Sequence, residues 1–122
     1  MFDDVIPALE ELASCGWQHV ILSNHVPELD DMVRYLGLRP YLVRVFNSAR
    51  TGYEKPHPRS FQIVVDSFPG SDQFWMIGDS MRADVAGAEA VGTPAILVRR
   101  PHPDAQRYCE SLYQVPAILR CE

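Results

Sequence analysis

Phe74-Trp75-Met76-Ile77-Gly78-Asp79-Ser80-Met81-Arg82-Ala83-Asp84-Val85-Ala86-Gly87-Ala88 sets the architecture of this 122-residue chain. Its first four residues are apolar, as in a strand buried on both faces, and they lead through an acidic turn into a helical pattern of small residues. That order places two carboxylates, Asp79 and Asp84, in a loop that opens a helix. Helix amino termini attract anions and grouped carboxylates attract hard cations, so the loop is the first candidate for a site.

Outward from this stretch the chain alternates helix and strand. Val5, Ile6, Leu9, Leu12 and Ala13 recur at helical spacing, with Pro7 in the first turn and Gly16 as a stop. His19 to Leu22 reads as a short apolar strand ending at Ser23-Asn24, and Pro27 to Leu36 as a helix with Leu29, Met32, Val33 and Leu36 on one face. Val43 to Asn47 reads as a strand, Ser48 to Pro58 as a loop, and Arg59 to Phe68 as a helix. Phe74 to Ile77 is a strand, Arg82 to Val91 a helix, Ala95 to Val98 a last strand, and the stretch from Pro101 is less regular. Four apolar strands separated by amphipathic helices predict an α/β fold with a parallel sheet, whose ligands bind beyond the carboxyl ends of its strands.

Composition narrows the partners. One domain, 1–122, fits the length and the 47% hydrophobic content. The net charge of -5, with basic residues scattered rather than striped, gives no footprint for nucleic acid or an anionic membrane. No apolar stretch approaches the length that spans a bilayer. Cys15, Cys109 and Cys121 lack metal or redox spacing, so free thiols in a reducing, cytoplasmic setting are expected. His25, His57 and His102 share no metal spacing and read as loop or surface residues. Phe74-Trp75 reads as core strand, and Arg99-Arg100 as a solvated pair or the rim of a site.

Three polar features fall at strand ends or before a helix: Ser23-Asn24, Lys55-Pro56, and Asp79 with Asp84. Singly, each has a plainer use: Ser23 and Asp79-Ser80 as helix caps, Asn24 as a turn closer, Lys55 as a solvated loop residue. Jointly, Val20-Ile-Leu-Ser23-Asn24, Gly52-Tyr-Glu-Lys55-Pro56-His-Pro58-x-x-Phe61 and Ile77-Gly-Asp79-Ser80-x-x-x-Asp84 resemble motifs II, III and IV of the haloacid dehalogenase (HAD) superfamily of hydrolases. The resemblance runs through nearly the whole chain in order and spacing. It implies a three-layer Rossmann-like core and, from the acidic turn, the Mg²⁺-dependent phosphatase branch rather than the metal-free dehalogenases. It also implies roles. Ser23, Asn24 and Lys55 would bind phosphate, with Ser23 and Lys55 as catalytic groups, and Asp79 and Asp84 would hold Mg²⁺. Phosphoryl transfer needs such parts, because the displaced group carries spread negative charge that donors, a fixed cation and a metal neutralise.

The family's first motif, an apolar strand ending in Asp-x-Asp, has no counterpart here. Its first carboxylate attacks phosphorus and its second moves the proton. Asp3-Asp4 follows no apolar strand, and Asp30-Asp31 lies inside a helical pattern. The chain is therefore expected to carry the core without its usual first, central strand and cap, and to be inactive alone. Phosphorylated metabolites are the substrate class the resemblance implies once the site is completed. Two edges, at Ser23 and at Asp79, would be left to close on each other, on a second copy, or on a strand-donating partner. The alternative is a non-catalytic HAD-like domain used for binding or assembly.

Overall fold

Ala95–Val98 (β4) is the most deeply buried element, with Ala95, Ile96 and Leu97 at 0% exposure. The computed structural model describes residues 2–24, 26 and 28–119. The expectations for His25 and Cys121 lie outside the described residues, as does the proposed helix start at Pro27. β4 lies between Met76–Gly78 (β3) and Tyr108–Cys109 (β5), parallel to both, with Ile77 opposite Ile96 and Leu97 opposite Tyr108. Alternation along a strand sends neighbouring side chains to opposite faces, and each face of β4 has its own core. Ile96 and Val98 join Leu12 of α1 (Val5–Ser14) and Val115 of α6 (Val115–Ile118). Ala95 and Leu97 join Phe61 of α4 (Pro58–Asp66), Val85, and Ala88 of α5 (Gly87–Ala90). Helices on both faces of a parallel sheet make the three-layer α/β architecture expected.

The sheet is in two parts. Val20–Ser23 (β1) pairs in parallel with Arg44–Asn47 (β2), from Val20 opposite Arg44 to Ser23 opposite Asn47. Among the described residues no strand lies between β1 and β3, and the two do not pair. The edges thus do not close on each other. Every residue of β1 and of β3 is only half-buried, although both runs are apolar but for Ser23 and Gly78.

Several boundaries depart from the sequence pattern. Ser48–Thr51 is a single helical turn (α3) inside the expected loop, capped by the Asn47 side chain and closed by Gly52 at φ 84°, which suits a residue without Cβ. β5 was not expected, because two residues carry no periodicity and its order comes from pairing with β4. β3 begins two residues later than its apolar run, and α2 spans Leu29–Tyr35. The helix after Asp79 opens as a π-helix, Met81–Ala86, in which both Asp84 and Val85 donate to the Ser80 carbonyl, at 3.0 and 3.1 Å. Cys109 is a buried free thiol as expected, its pKa pushed up by burial, but Cys15 is disulfide-bonded. Local spacing cannot reveal a pairing that only the fold creates. Among the described residues no helix is long and apolar enough to cross a membrane.

The amino-terminal turn is tied to the other end of the chain. Buried Asp4 accepts from the Arg99 guanidinium at 2.7 Å and from the Leu112 N–H at 2.7 Å. Burial raises its pKa, but the hydrogen bonds and charge of these partners outweigh that and hold it below the usual carboxylate range. Arg99 has a left-handed backbone, φ 70°, and its guanidinium stacks 3.7 Å from the centre of the Phe2 ring.

Candidate active site

The expected residues converge at the carboxyl ends of β1 and β3. Lys55 Nζ meets Asp84 Oδ1 at 2.5 Å, with side chains only 10% and 8% exposed. A charge pair taken this far from water persists only with close geometry and further hydrogen bonds, and both are present. Asp84 Oδ2 accepts from the Ser80 N–H at 3.2 Å. The π-helical turn brings this carboxylate back over β3, where a Cβ on Gly78 would collide with it. Gly78 is required for that close approach.

Lys55 is held by its backbone. Its N–H donates to Asn24 Oδ1 at 2.8 Å, and Asn24 Nδ2 donates to its carbonyl at 3.1 Å. Both ends of the Asn24 amide thus fix the lysine loop. Ser23 lies one residue earlier, half-buried, with its hydroxyl donating to the Asn24 carbonyl at 3.1 Å. Asp79 is different from Asp84. Its carboxylate is half exposed, and its nearest cation is the exposed Arg100, 3.8 Å away. Arg100 is thus at the rim, whereas Arg99 turns inward to Asp4.

The two aspartates expected to share a metal are therefore not equivalent. Asp84 has both oxygens hydrogen-bonded, to Lys55 and Ser80, whereas the Asp79 carboxylate is half exposed. Among the described residues no three His, Cys, Asp or Glu side chains gather closely enough to hold a metal ion. Mg²⁺ keeps several waters and takes one or two carboxylates, so Asp79 and Asp84 would fit as part of its ligand set.

Sequence reasoning missed Asn47. Its Oδ1 accepts from Ala49 at 3.2 Å, capping α3, while its Nδ2 donates to the Val26 carbonyl at 2.7 Å and so ties the loop after β1 to β2. Asparagine at a strand end followed by a helical turn was the available signal. His57 caps α4, its Nδ1 accepting from Arg59 at 3.0 Å, and His102 likewise accepts from Asp104 at 3.1 Å; both are loop residues, as expected. A cavity of about 470 Å³ bordered by Phe74, Trp75, Thr93 and Pro94 lies at the amino ends of β3 and β4, away from all of these groups.

The family model described as haloacid dehalogenase-like hydrolase matches residues 1–92. The chain belongs to the haloacid dehalogenase-like hydrolases. It is 34% identical over 93 residues to haloacid dehalogenase-like hydrolase domain-containing protein 3 of Bos taurus, covering 72% of this chain and 36% of that protein. It is 33% identical over 96 residues to a ribulose-1,5-bisphosphate 5-phosphatase of Halopiger xanaduensis, covering 77% and 40%. Among solved structures, a HAD phosphatase from Thermococcus onnurineus superposes with a TM-score of 0.90 at 27% identity, over 100% of this chain and 59% of that one. This HAD-like chain therefore spans well under half the length of these curated relatives.

Proposed function

We propose that this chain forms the phosphate-facing and metal-facing part of a Mg²⁺-dependent phosphomonoesterase site acting on small phosphorylated metabolites. The buried Lys55–Asp84 pair, with Ser23 ending β1 and Asp79 following β3, supports the reading. A lysine fixed at both backbone and side chain is a preorganised cation, which stabilises developing phosphoryl charge without rearranging. Ser23 would turn its hydroxyl from the Asn24 carbonyl to a phosphate oxygen. Mg²⁺, when bound through Asp79, supplies further positive charge to the phosphate oxygens. The attacking carboxylate is not among these groups. Removing a covalent nucleophile leaves only residual acceleration from binding and electrostatics, so residues 1–122 alone are proposed to be inactive.

The test has two arms. Residues 1–122 with Mg²⁺ should hydrolyse p-nitrophenyl phosphate no faster than buffer; turnover abolished by Asp79→Asn would overturn the proposed inactivity. The same chain preceded by an apolar strand ending in Asp-x-Asp, as in the family, should gain turnover that Asp79→Asn and Lys55→Ala each remove. Failure of this completed protein, shown folded by circular dichroism, would overturn the phosphatase reading. A cytoplasmic location belongs to the same proposal and requires Cys15 to be reduced in protein taken from cells, since cytosolic thiols are held reduced.

A second reading, a domain that binds or assembles through a donated strand or a second copy, is favoured by the edges of β1 and β3 that no strand pairs among the described residues. Sedimentation of residues 1–122 across a concentration series separates it from the first: a monomer throughout removes the second-copy form.

A further inference from the structure

The outer edge of β2 faces away from β1 and from the seam. Alternation along β2 sends the N–H and C=O groups of every second residue outward, away from β1. No described strand pairs with them. An open groove of about 510 Å³ runs along this edge. Arg34, Arg39, Arg44 and Arg50 line it against one carboxylate, Asp30, which is engaged by Arg50 at 2.6 Å. Among the described residues no carboxylate pairs with Arg34, Arg39 or Arg44. Basic residues that look scattered along the sequence are thus gathered by α2, the turn after it, β2 and α3. They form a positive groove on a chain of net charge -5.

We propose that this edge accepts an extended acidic polypeptide segment as an added strand. The outward-facing backbone groups of β2 would supply main-chain hydrogen bonds, and carboxylates on the segment would meet the arginines. Arginine suits the second task because its planar fork matches a carboxylate in two parallel hydrogen bonds. A charged residue on an edge strand also discourages self-pairing, but Arg34 and Arg39 are off the strand and add nothing to that guard. The four residues of β2 suit a segment of similar length.

The test is fluorescence polarisation with the labelled, end-blocked peptide Glu-Val-Glu-Val-Glu-Val and residues 1–122. Saturable binding is expected, weakened about ten-fold or more by Arg39→Glu with Arg44→Glu, both exposed positions, and by raising ionic strength from about 0.05 to about 0.5 M. The same peptide N-methylated at alternate residues keeps its charge and loses strand pairing, and should not bind. Absence of saturable binding overturns the proposal. Equal binding of the methylated peptide overturns it too, showing charge attraction without strand addition. Displacement by inorganic phosphate at concentrations where sodium chloride of equal ionic strength has no effect would show a small-anion site and likewise overturn it.

Discussion

β1, Val-Ile-Leu-Ser, and β4, Ala-Ile-Leu-Val, read almost alike, yet every β1 residue is half-buried while those of β4 are 0–5% exposed. The difference comes from their neighbours: β4 has a strand on each side, whereas β1 has one on only one side among the described residues. An apolar run therefore reports what a strand is built to meet, and exposure reports what it has met. The same contrast separates the two aspartates. Asp84 is deep in packed structure and paired with Lys55, while Asp79 is half exposed beside Arg100.

The largest expected effect tests the strands directly. Leu97→Ala should cost about 4 kcal/mol, as for a fully enclosed leucine, whereas Leu22→Ala should cost about 1.5 kcal/mol. Urea unfolding of both variants checks this, and equal losses would break the contrast. Next, Asp84→Asn leaves the Lys55 ammonium enclosed without its counter-charge and should cost about 3 kcal/mol in the same assay. Asp79→Asn, at an exposed carboxylate, should stay within about 0.5 kcal/mol.

Asp4 sharpens the comparison through pH. Its native pKa is held below the unfolded value, so its contribution is complete above that value, near pH 4, and is lost as pH falls through the native pKa. Wild type should therefore lose stability on acidification below about pH 4 more steeply than Asp4→Asn, which is itself expected to be about 2 kcal/mol less stable at pH 7. Thermal melts across pH 2–7 would show the two curves approaching each other in acid, as such linkage requires. The smallest effect belongs to the exposed Asp30–Arg50 pair, where Asp30→Asn should change stability by less than about 0.5 kcal/mol despite a 2.6 Å contact.

Much of the layered architecture was legible in the sequence, because apolar periodicity marks β1, β4, α1 and α4 wherever one face is buried. Short elements were not. α3 is one turn whose order comes from the Asn47 cap, and β5 exists through its pairing with β4. In the site, residue types and spacing brought Ser23, Lys55, Asp79 and Asp84 together, but not their division of labour. That division depends on contacts across long separations, such as Asn24 with Lys55, 31 residues apart, and Lys55 with Asp84, 29 apart. The arginine groove was hidden for the same reason, since its members come from four successive elements.

The crowding of Gly78 under the Asp84 carboxylate also constrains how the sequence can drift. A side chain at position 78 would meet the Asp84 carboxylate and its Cβ alike, and removing that carboxylate strands Lys55. The three positions are thus epistatic. Mutational routes that begin at Gly78 collide with Asp84, and routes that begin at Lys55 leave the enclosed Asp84 carboxylate without its counter-charge, so neither starts freely.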